Sequence, residues 1–249
     1  MYLCGVISKG KIKELSEYKK KKRCDEEHVF VAEGVKICQE ALAARLPVRV
    51  ICATDLWFSQ HRQLPPEAEL HEVNAEALER LSSLKTPNEV WMLVERPQHS
   101  HFTVDNSQLI LALDKLQDPG NLGTLIRTAD ALGASCVILS PQCADPFSPK
   151  TLRSSMGSVY HLPVYTRDIP AALNILNTQG YTCLCGHLRG SETLPTKTDR
   201  MALLVGNEGN GVTDASAALC YPYRLPMSGR AESLNAAVFG AILLYELLK

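Results

Sequence analysis

The sequence lacks most features that would place it quickly, and each absence removes a class of protein. No apolar run reaches the ~20 residues a bilayer-spanning helix needs; the longest covers residues 236–245. No apolar stretch follows Met1, so neither a membrane nor an export signal is expected and the cytoplasm is the default location. The nine cysteines form no Cys-x-x-Cys pair and accompany no histidine cluster at zinc-finger spacing. Scattered and odd in number, they read as free thiols, with no structural metal. Cys183 and Cys185, the closest pair, alternate with apolar residues in YTCLCG and read as strand positions. An excess of charge is also missing. With 26 basic and 27 acidic residues the net charge is -1, which excludes a globally basic nucleic-acid binder.

What is present is an ordinary globular composition, 45% hydrophobic and 21% charged, on a chain of 249 residues that can form one large domain or two modest ones. The charge is nevertheless uneven. Lys9, Lys11, Lys13, Lys19, Lys20, Lys21, Lys22 and Arg23 face only Glu14 and Glu17 within the first 23 residues, so an electrostatic footprint for a polyanion would start there.

Apolar runs alternate with segments of helical period, the pattern of an α/β fold with a parallel or mixed sheet. The polar stretch RPQHSHFTVDNSQ, residues 96–108, is the candidate boundary between two unequal halves. In the first half the pattern predicts a basic helix over 9–20, strands at 29–32, 48–53 and 90–94, and helices at 33–44 and 74–84. In the second it predicts strands near 109–113, 136–139, 181–185, 202–205 and 223–225. A final helix over 233–248, opened by Ser233 as N-cap, is apolar almost all round and should be buried on most sides.

Three segments of the second half carry more than scaffold. In LDKLQDPGNLGTLIRTADALG a strand runs through Asp118, Pro119 and Gly120 into a helix whose Leu122, Leu125, Ile126, Ala129 and Leu132 share one face. Arg127 projects from nearly the opposite side, so pattern alone reads it as a solvated arginine, and Asn121 as a capping residue. In LLVGNEGNGV an apolar strand ends in a loop with Gly206, Gly209 and Gly211, which is neither a dinucleotide fingerprint nor a phosphate loop. Glu208 at its centre is harder to explain, because a tight turn gains little from a carboxylate. In YRLPMSGRAESLNAAVFGAILLYEL, Ser233 and Asn235 stand at the mouth of the apolar helix, where a buried amide needs partners.

Together, in this order, the segments resemble the three motifs of the SpoU or TrmH family of RNA 2′-O-methyltransferases. The family's first motif, roughly D-P-x-N-x-G-x-x-x-R-x-A-x-x-x-G, is matched by Asp118, Pro119, Asn121, Gly123, Arg127, Ala129 and Gly133. Its second is matched by Gly206, Asn207, Glu208, Gly209 and Gly211, and its third by Pro226, Met227, Gly229, Ser233, Leu234 and Asn235. The stretch SPKTLRSSMGSVYHLPV is similar to its intermotif segment. Ahead of it, FVAEGVK and LSSLKTPNEV resemble the small ribosomal-protein-like RNA-binding domain of members that modify ribosomal RNA.

The resemblance implies a parallel-sheet domain with a C-terminal trefoil knot, residues 106–249, preceded by a small α/β RNA-binding domain, residues 1–98. General topology argues against knots, so that expectation rests on the resemblance alone. It implies S-adenosyl-L-methionine as cofactor, held by Gly206, Asn207, Gly211, Leu225, Met227, Ser233, Leu234 and Asn235. Asn121, Arg127, Glu208, Ser233 and Asn235 would surround the reacting groups, in a homodimer where Arg127 faces the partner. The substrate would be RNA, ribosomal rather than transfer RNA. No aromatic stacking motif is evident in the first half, so Lys9, Lys11, Lys13 and the run from Lys19 to Arg23 would hold phosphates. The competing readings are a transfer-RNA 2′-O-methyltransferase and a non-catalytic RNA-binding protein that keeps the fold.

Overall fold

A computed structural model describes residues 5–98, 102 and 109–249, with backbone alone for Gly5 and Val6. Most of the candidate boundary at 96–108 therefore lies outside the described residues. The chain divides into two compact units: Met1–Gln98 with Phe147–Tyr160, and His99–Pro146 with His161–Lys249.

The first unit is a five-stranded mixed sheet with short helices. Its strands are β1 (Gly5–Val6), β2 (Val29–Glu33), β3 (Val48–Ala53), β4 (Glu69–Glu72) and β5 (Val90–Glu95), in spatial order β1-β4-β3-β5-β2. β5 runs antiparallel to both neighbours. The helices are α1 (Lys9–Ser16), α2 (Lys21–Glu27), α3 (Val35–Ala43), α4 (Asp55–Gln60) and α5 (Ala75–Leu81). The single basic helix expected over 9–20 is broken by a 3-10 turn at Glu17–Lys19, where Tyr18 turns inward and its hydroxyl donates to Glu27 Oε2 at 2.7 Å. Sequence pattern misses β4, because ELHE offers no apolar alternation, and α4, which is short.

Phe147–Tyr160 carries α7 (Pro149–Ser155) and belongs to this unit, although by chain position it falls within the second half. Its two terminal rings cover Phe30 of β2, with centroids 5.0 Å and 5.6 Å away, and the Arg96 guanidinium lies over Phe147. Gly157 has φ 91°, and a Cβ there would lie 2.8 Å from Glu40 Cβ, so glycine alone allows this approach. Chain continuity cannot reveal such a crossing; the need to cover an apolar ring produces it.

The second unit is a six-stranded sheet, β6 (Leu109–Leu113), β7 (Cys136–Leu139), β8 (Val164–Thr166), β9 (Thr182–Ser191), β10 (Met201–Val205) and β11 (Tyr221–Tyr223). Its order is β11-β9-β10-β6-β7-β8 and every pairing is parallel. Both faces of β6 and β10 are buried, which is why they read as unbroken apolar runs. On one face Ile110, Ala112, Ala202 and Leu204 pack with Leu173 and Leu176 of α8 (Ile169–Thr178). On the other, α6 (Pro119–Ala131) packs against α10 (Ala236–Leu248). Gly240 makes that approach possible, since a Cβ on it would lie 2.5 Å from Leu125 Cδ2.

Two expectations for the last helix are corrected. It begins at Ala236 with Asn235 as N-cap, not at Ser233. Nor is it buried on most sides: Val238, Ile242 and Tyr245 are 49%, 36% and 54% exposed. Their spacing places them on one face, which apolar composition alone could not separate from the buried one.

Candidate active site

The site forms where the loops after β6 and β10 leave the carboxyl ends of neighbouring strands, the usual ligand position in an open parallel sheet. Register sets this up, because Leu113 and Val205 end their strands opposite each other. Asp114 then turns inward and is 3% exposed. Its Oδ2 accepts from Thr213 N at 3.3 Å, Thr213 Oγ1 at 3.0 Å and Ser216 Oγ at 3.2 Å, tying the exit of the second loop to the start of the first. Sequence reasoning missed this clamp, since partners about a hundred residues away leave no local signal.

The first loop enters α6 through Asp118, whose Oδ1 accepts from Asn121 N at 2.8 Å, with Pro119 in the first turn. Asp118 is thus the cap. The Asn121 side chain is left for another task, against the capping alternative.

The second loop is organised by Asn207. Its backbone pairs with Gly211 in both directions at 2.9 Å, and its Oδ1 accepts from Gly209 N at 2.9 Å and Asn210 N at 3.1 Å. Nδ2 reaches across to the carbonyl of Lys115 at 2.9 Å. A Cβ on Gly206 would lie 2.2 Å from the carbonyl carbon of Gly211, and Gly211 itself has φ 68°, so both glycines are demanded by the turn.

The three segments meet in one chain of hydrogen bonds. Asn235 Oδ1 accepts from Ala237 N at 2.9 Å and Val238 N at 3.3 Å, capping α10, and its Nδ2 donates to Asn121 Oδ1 at 3.0 Å. Asn121 Nδ2 in turn donates to Glu208 Oε1 at 2.9 Å. The cap fixes the orientation of Asn235, Asn235 fixes that of Asn121, and Glu208 terminates the chain as pure acceptor. Glu208 is therefore an anchor for two loops. Asn235 is exposed, which corrects the expectation of a buried amide.

The remaining expected residues do not join this network. Arg127 is exposed on α6 and makes no hydrogen bond or ion pair among the described residues. Ser233 is exposed and equally unpartnered. Leu225, Met227 and Leu234 lie in the irregular segment between β11 and α10, with Leu225 and Met227 half-buried. Among the described residues, no hydrogen bond is made by the backbone of residues 225–234. Such a stretch of unspent donors and acceptors suits a ligand rich in polar edges, and this donor set fits a nucleoside-bearing cofactor. No group of three His, Cys, Asp or Glu side chains is placed to hold a metal ion among the described residues. No helix among them is long and apolar enough to cross a membrane.

The proposed RNA contacts lie in the first unit, where the structure has spent much of their charge. Lys11 pairs with Glu69 at 3.0 Å, Lys20 with Glu17 at 2.6 Å, Lys21 with Asp25 and Arg23 with Glu27 at 2.5 Å each, and Lys22 with Glu26 at 3.9 Å. The lysine beside Glu69 is consequently harder to deprotonate than usual, chiefly through its hydrogen bond to that carboxylate. Lys9, Lys13 and Lys19 are exposed and carry no ion pair among the described residues. The segments FVAEGVK and LSSLKTPNEV are brought together, because buried Glu33 accepts from Ser82 Oγ, from Ser83 N at 3.1 Å and from Ser83 Oγ at 2.7 Å.

A parallel α/β unit whose loops meet at the strand ends, and a small mixed-sheet unit, define the class: a two-part α/β protein with a candidate ligand site at the carboxyl ends of its parallel strands. Comparison with known proteins narrows it. Residues 108–245 match the SpoU rRNA Methylase family and residues 9–91 the MRM3-like substrate binding domain. The chain is 34% identical over 248 residues to the 23S rRNA (guanosine(2553)-2′-O)-methyltransferase RlmP of Bacillus subtilis, covering 95% of each. Among solved structures it is similar to the AdoMet-bound rRNA methyltransferase of Sinorhizobium meliloti, with TM-score 0.86, 31% identity and coverage of 97% and 96%. It is also similar to the SpoU methyltransferase AviRb of Streptomyces viridochromogenes in complex with AdoMet, with TM-score 0.84, 27% identity and 97% of both chains covered. The chain belongs to the SpoU rRNA methylase family.

Proposed function

We propose that this protein transfers a methyl group from S-adenosyl-L-methionine to a ribose 2′-hydroxyl of RNA, and that the RNA is ribosomal. The observation that carries the reading is the hydrogen-bonded chain Asn235–Asn121–Glu208, which joins all three motif segments into one intact site. Relatives named for ribosomal RNA match over nearly the full chain, first unit included, which favours ribosomal over transfer RNA.

When bound, the cofactor supplies a methyl group already activated by its sulfonium. Gly206, Gly211 and the unspent backbone of residues 225–234 would hold it, and Leu225, Met227 and Leu234 would offer it apolar contact. Asn121, Glu208 and Asn235 fix the loops so that the ribose oxygen is presented in line, and positioning of that quality supplies roughly 7–11 kcal/mol. A guanidinium is a poor base, so Arg127 stabilises charge developing on the ribose oxygen or clamps the adjacent phosphate rather than removing a proton. Arg127→Lys should retain much of the activity if charge alone matters and fall to the level of Arg127→Ala if the fork geometry does.

The exposed face of Val238, Ile242 and Tyr245 is covered by a second copy of the chain, giving a homodimer with Arg127 turned toward the partner. The trefoil knot, the boundary between an RNA-binding domain at 1–98 and a catalytic domain at 106–249, a metal-free site and a cytoplasmic location belong to the same proposal. Lys9, Lys13 and Lys19 contribute most of the phosphate contact within the basic run.

Isothermal titration with S-adenosyl-L-methionine, together with a map of ribose methylation in total RNA from cells with and without the gene, tests the reading. Cofactor binding and one lost ribosomal methyl mark are expected. A lost mark on transfer RNA would favour the alternative substrate, and absence of cofactor binding would leave a non-catalytic RNA binder.

A further inference from the structure

Beside the second loop lies a pocket of about 190 Å³ lined by Lys115, Gln117, Asn207, Asn210, Gly211, Val212 and Thr213. Sites for whole drug-sized ligands span roughly 300–1,000 Å³, so this space cannot take the whole cofactor; it adjoins the proposed cofactor site at Gly211 and is of a size for a single planar ring. Much of its lining is already committed. Thr213 Oγ1 is spent on Asp114 and Ser216, and the Asn207 side chain is spent on its own loop and on Lys115. Three groups are left over. The ammonium of Lys115 and the side-chain amides of Gln117 and Asn210, all on exposed residues, have no protein partner among the described residues and are open to a ligand. No carboxylate lines the pocket, and Val212, 9% exposed, supplies an apolar wall.

Lys115 is also held in an unusual conformation. Its φ is 55°, the left-handed region that a residue with a Cβ seldom adopts. Two hydrogen bonds impose it: Lys115 N donates to Ser140 Oγ at 2.8 Å, and the Lys115 carbonyl accepts from Asn207 Nδ2 at 2.9 Å. The same Asn207 organises the loop that carries Glu208. A strained lysine pinned to the site network, rather than left on a relaxed turn, is the kind of outlier that marks a functional position.

We infer that this pocket receives one nucleotide of the RNA substrate, with its base read along the edge by Gln117 and Asn210 and its phosphate held by Lys115. Amides that both donate and accept can read the hydrogen-bonding edge of an unstacked base, which is how single-stranded RNA is recognised, while an ammonium is a phosphate contact without sequence content. The inference rests on the methyltransferase reading above and names part of its substrate contact.

The test uses the full chain and large-subunit ribosomal RNA from cells lacking the gene. RNA affinity across a salt series, methyl transfer from labelled S-adenosyl-L-methionine, cofactor affinity and thermal midpoint are measured for Lys115→Gln, Lys115→Arg, Gln117→Ala and Asn210→Ala. Lys115→Gln should make the log-log salt slope shallower by about 0.7, the value of one contact on a single strand, and Lys115→Arg should restore it. Each amide variant should raise KM roughly two- to tenfold with kcat and cofactor affinity unchanged. Wild-type slope and KM in all of them would overturn the inference. So would a parallel loss of cofactor affinity, which would assign the pocket to the cofactor. If the wild-type chain binds this RNA but moves no methyl group, the methyltransferase reading fails, and the affinities and slopes still decide the pocket.

Discussion

The orientation of the hydrogen-bond chain makes Asn235→Asp a discriminating substitution. In the native chain Asn235 Oδ1 serves the cap and Nδ2 serves Asn121, so each atom has one task. A carboxylate at 235 keeps the cap. Its charge at the N-terminus of α10 adds about 0.3–1 kcal/mol through the helix dipole, so stability should hold or rise slightly. The link to Asn121 does not survive. Two oxygens would then face each other, and flipping the Asn121 amide would satisfy the new carboxylate only by turning its own oxygen toward Glu208. One amide cannot donate to two carboxylates along this line. Glu208 loses a charge-assisted hydrogen bond worth about 1.5–3 kcal/mol when shielded, and about 0.5–1 kcal/mol at this exposed position. If that energy holds the loops in the reacting geometry, kcat falls roughly two- to fivefold. Differential scanning fluorimetry and steady-state methyl transfer on ribosomal RNA read the two effects separately. Wild-type kcat, or a fall in thermal midpoint matching the fall in rate, would refute the reasoning.

Other substitutions probe the supports. Asp114→Asn replaces a charged acceptor of three donors, all on Oδ2, with a neutral amide oxygen and leaves a buried amide NH2 in place of Oδ1, and should cost about 1–3 kcal/mol, or roughly 2–10 °C of thermal midpoint; an unchanged melt would show that the clamp carries no stability. Gly206→Ala should weaken cofactor binding by about tenfold or more in calorimetry, because the added methyl meets the Gly211 backbone; native affinity would mean that the turn can shift. Burial disfavours the thiolate, pushing Cys183 up to about 11 and Cys136 up to about 12. At pH 8 about one molecule in a thousand then carries a Cys183 thiolate, so iodoacetamide should label both residues slowly until denaturant is added, and rapid native labelling by peptide mass spectrometry would contradict the packing. Ile242→Glu should leave the chain monomeric by light scattering where the unsubstituted chain forms the proposed dimer, without lowering the midpoint of the monomer, since Ile242 is on the exposed helix face; an unchanged dimer would remove this face from the contact.

Much of the parallel sheet was legible because strands buried on both faces leave continuous apolar runs, as LILAL and MALLV do. Strand β4 was not, since ELHE lies half-exposed near an edge and alternates nothing. The motif residues could be named from their order and spacing, yet their division of labour could not. Asn121 read equally well as a cap until Asp118 was seen to hold that position, and Glu208 had no visible partner because Asn121 stands 87 residues away. The basic run shows the opposite failure. Five consecutive cations look like a polyanion footprint, but Asp25, Glu26 and Glu27 return one helical turn later and neutralise Lys21, Lys22 and Arg23, a pairing that only helix geometry creates. Lys115 has no signal in the sequence at all, since nothing in its neighbours announces a left-handed backbone.

The path of Phe147–Tyr160 also bears on how this gene could be cut. An excised N-terminal fragment ending at Gln98 would present the bare ring of Phe30 to water, and the complementary fragment would carry two orphaned aromatic rings at the ends of a tether with nothing to grip. Neither piece inherits a complete interior, so shuffling by simple fusion at residue 98 would yield sticky products, and a viable graft would have to transplant the tether along with the sheet it plugs.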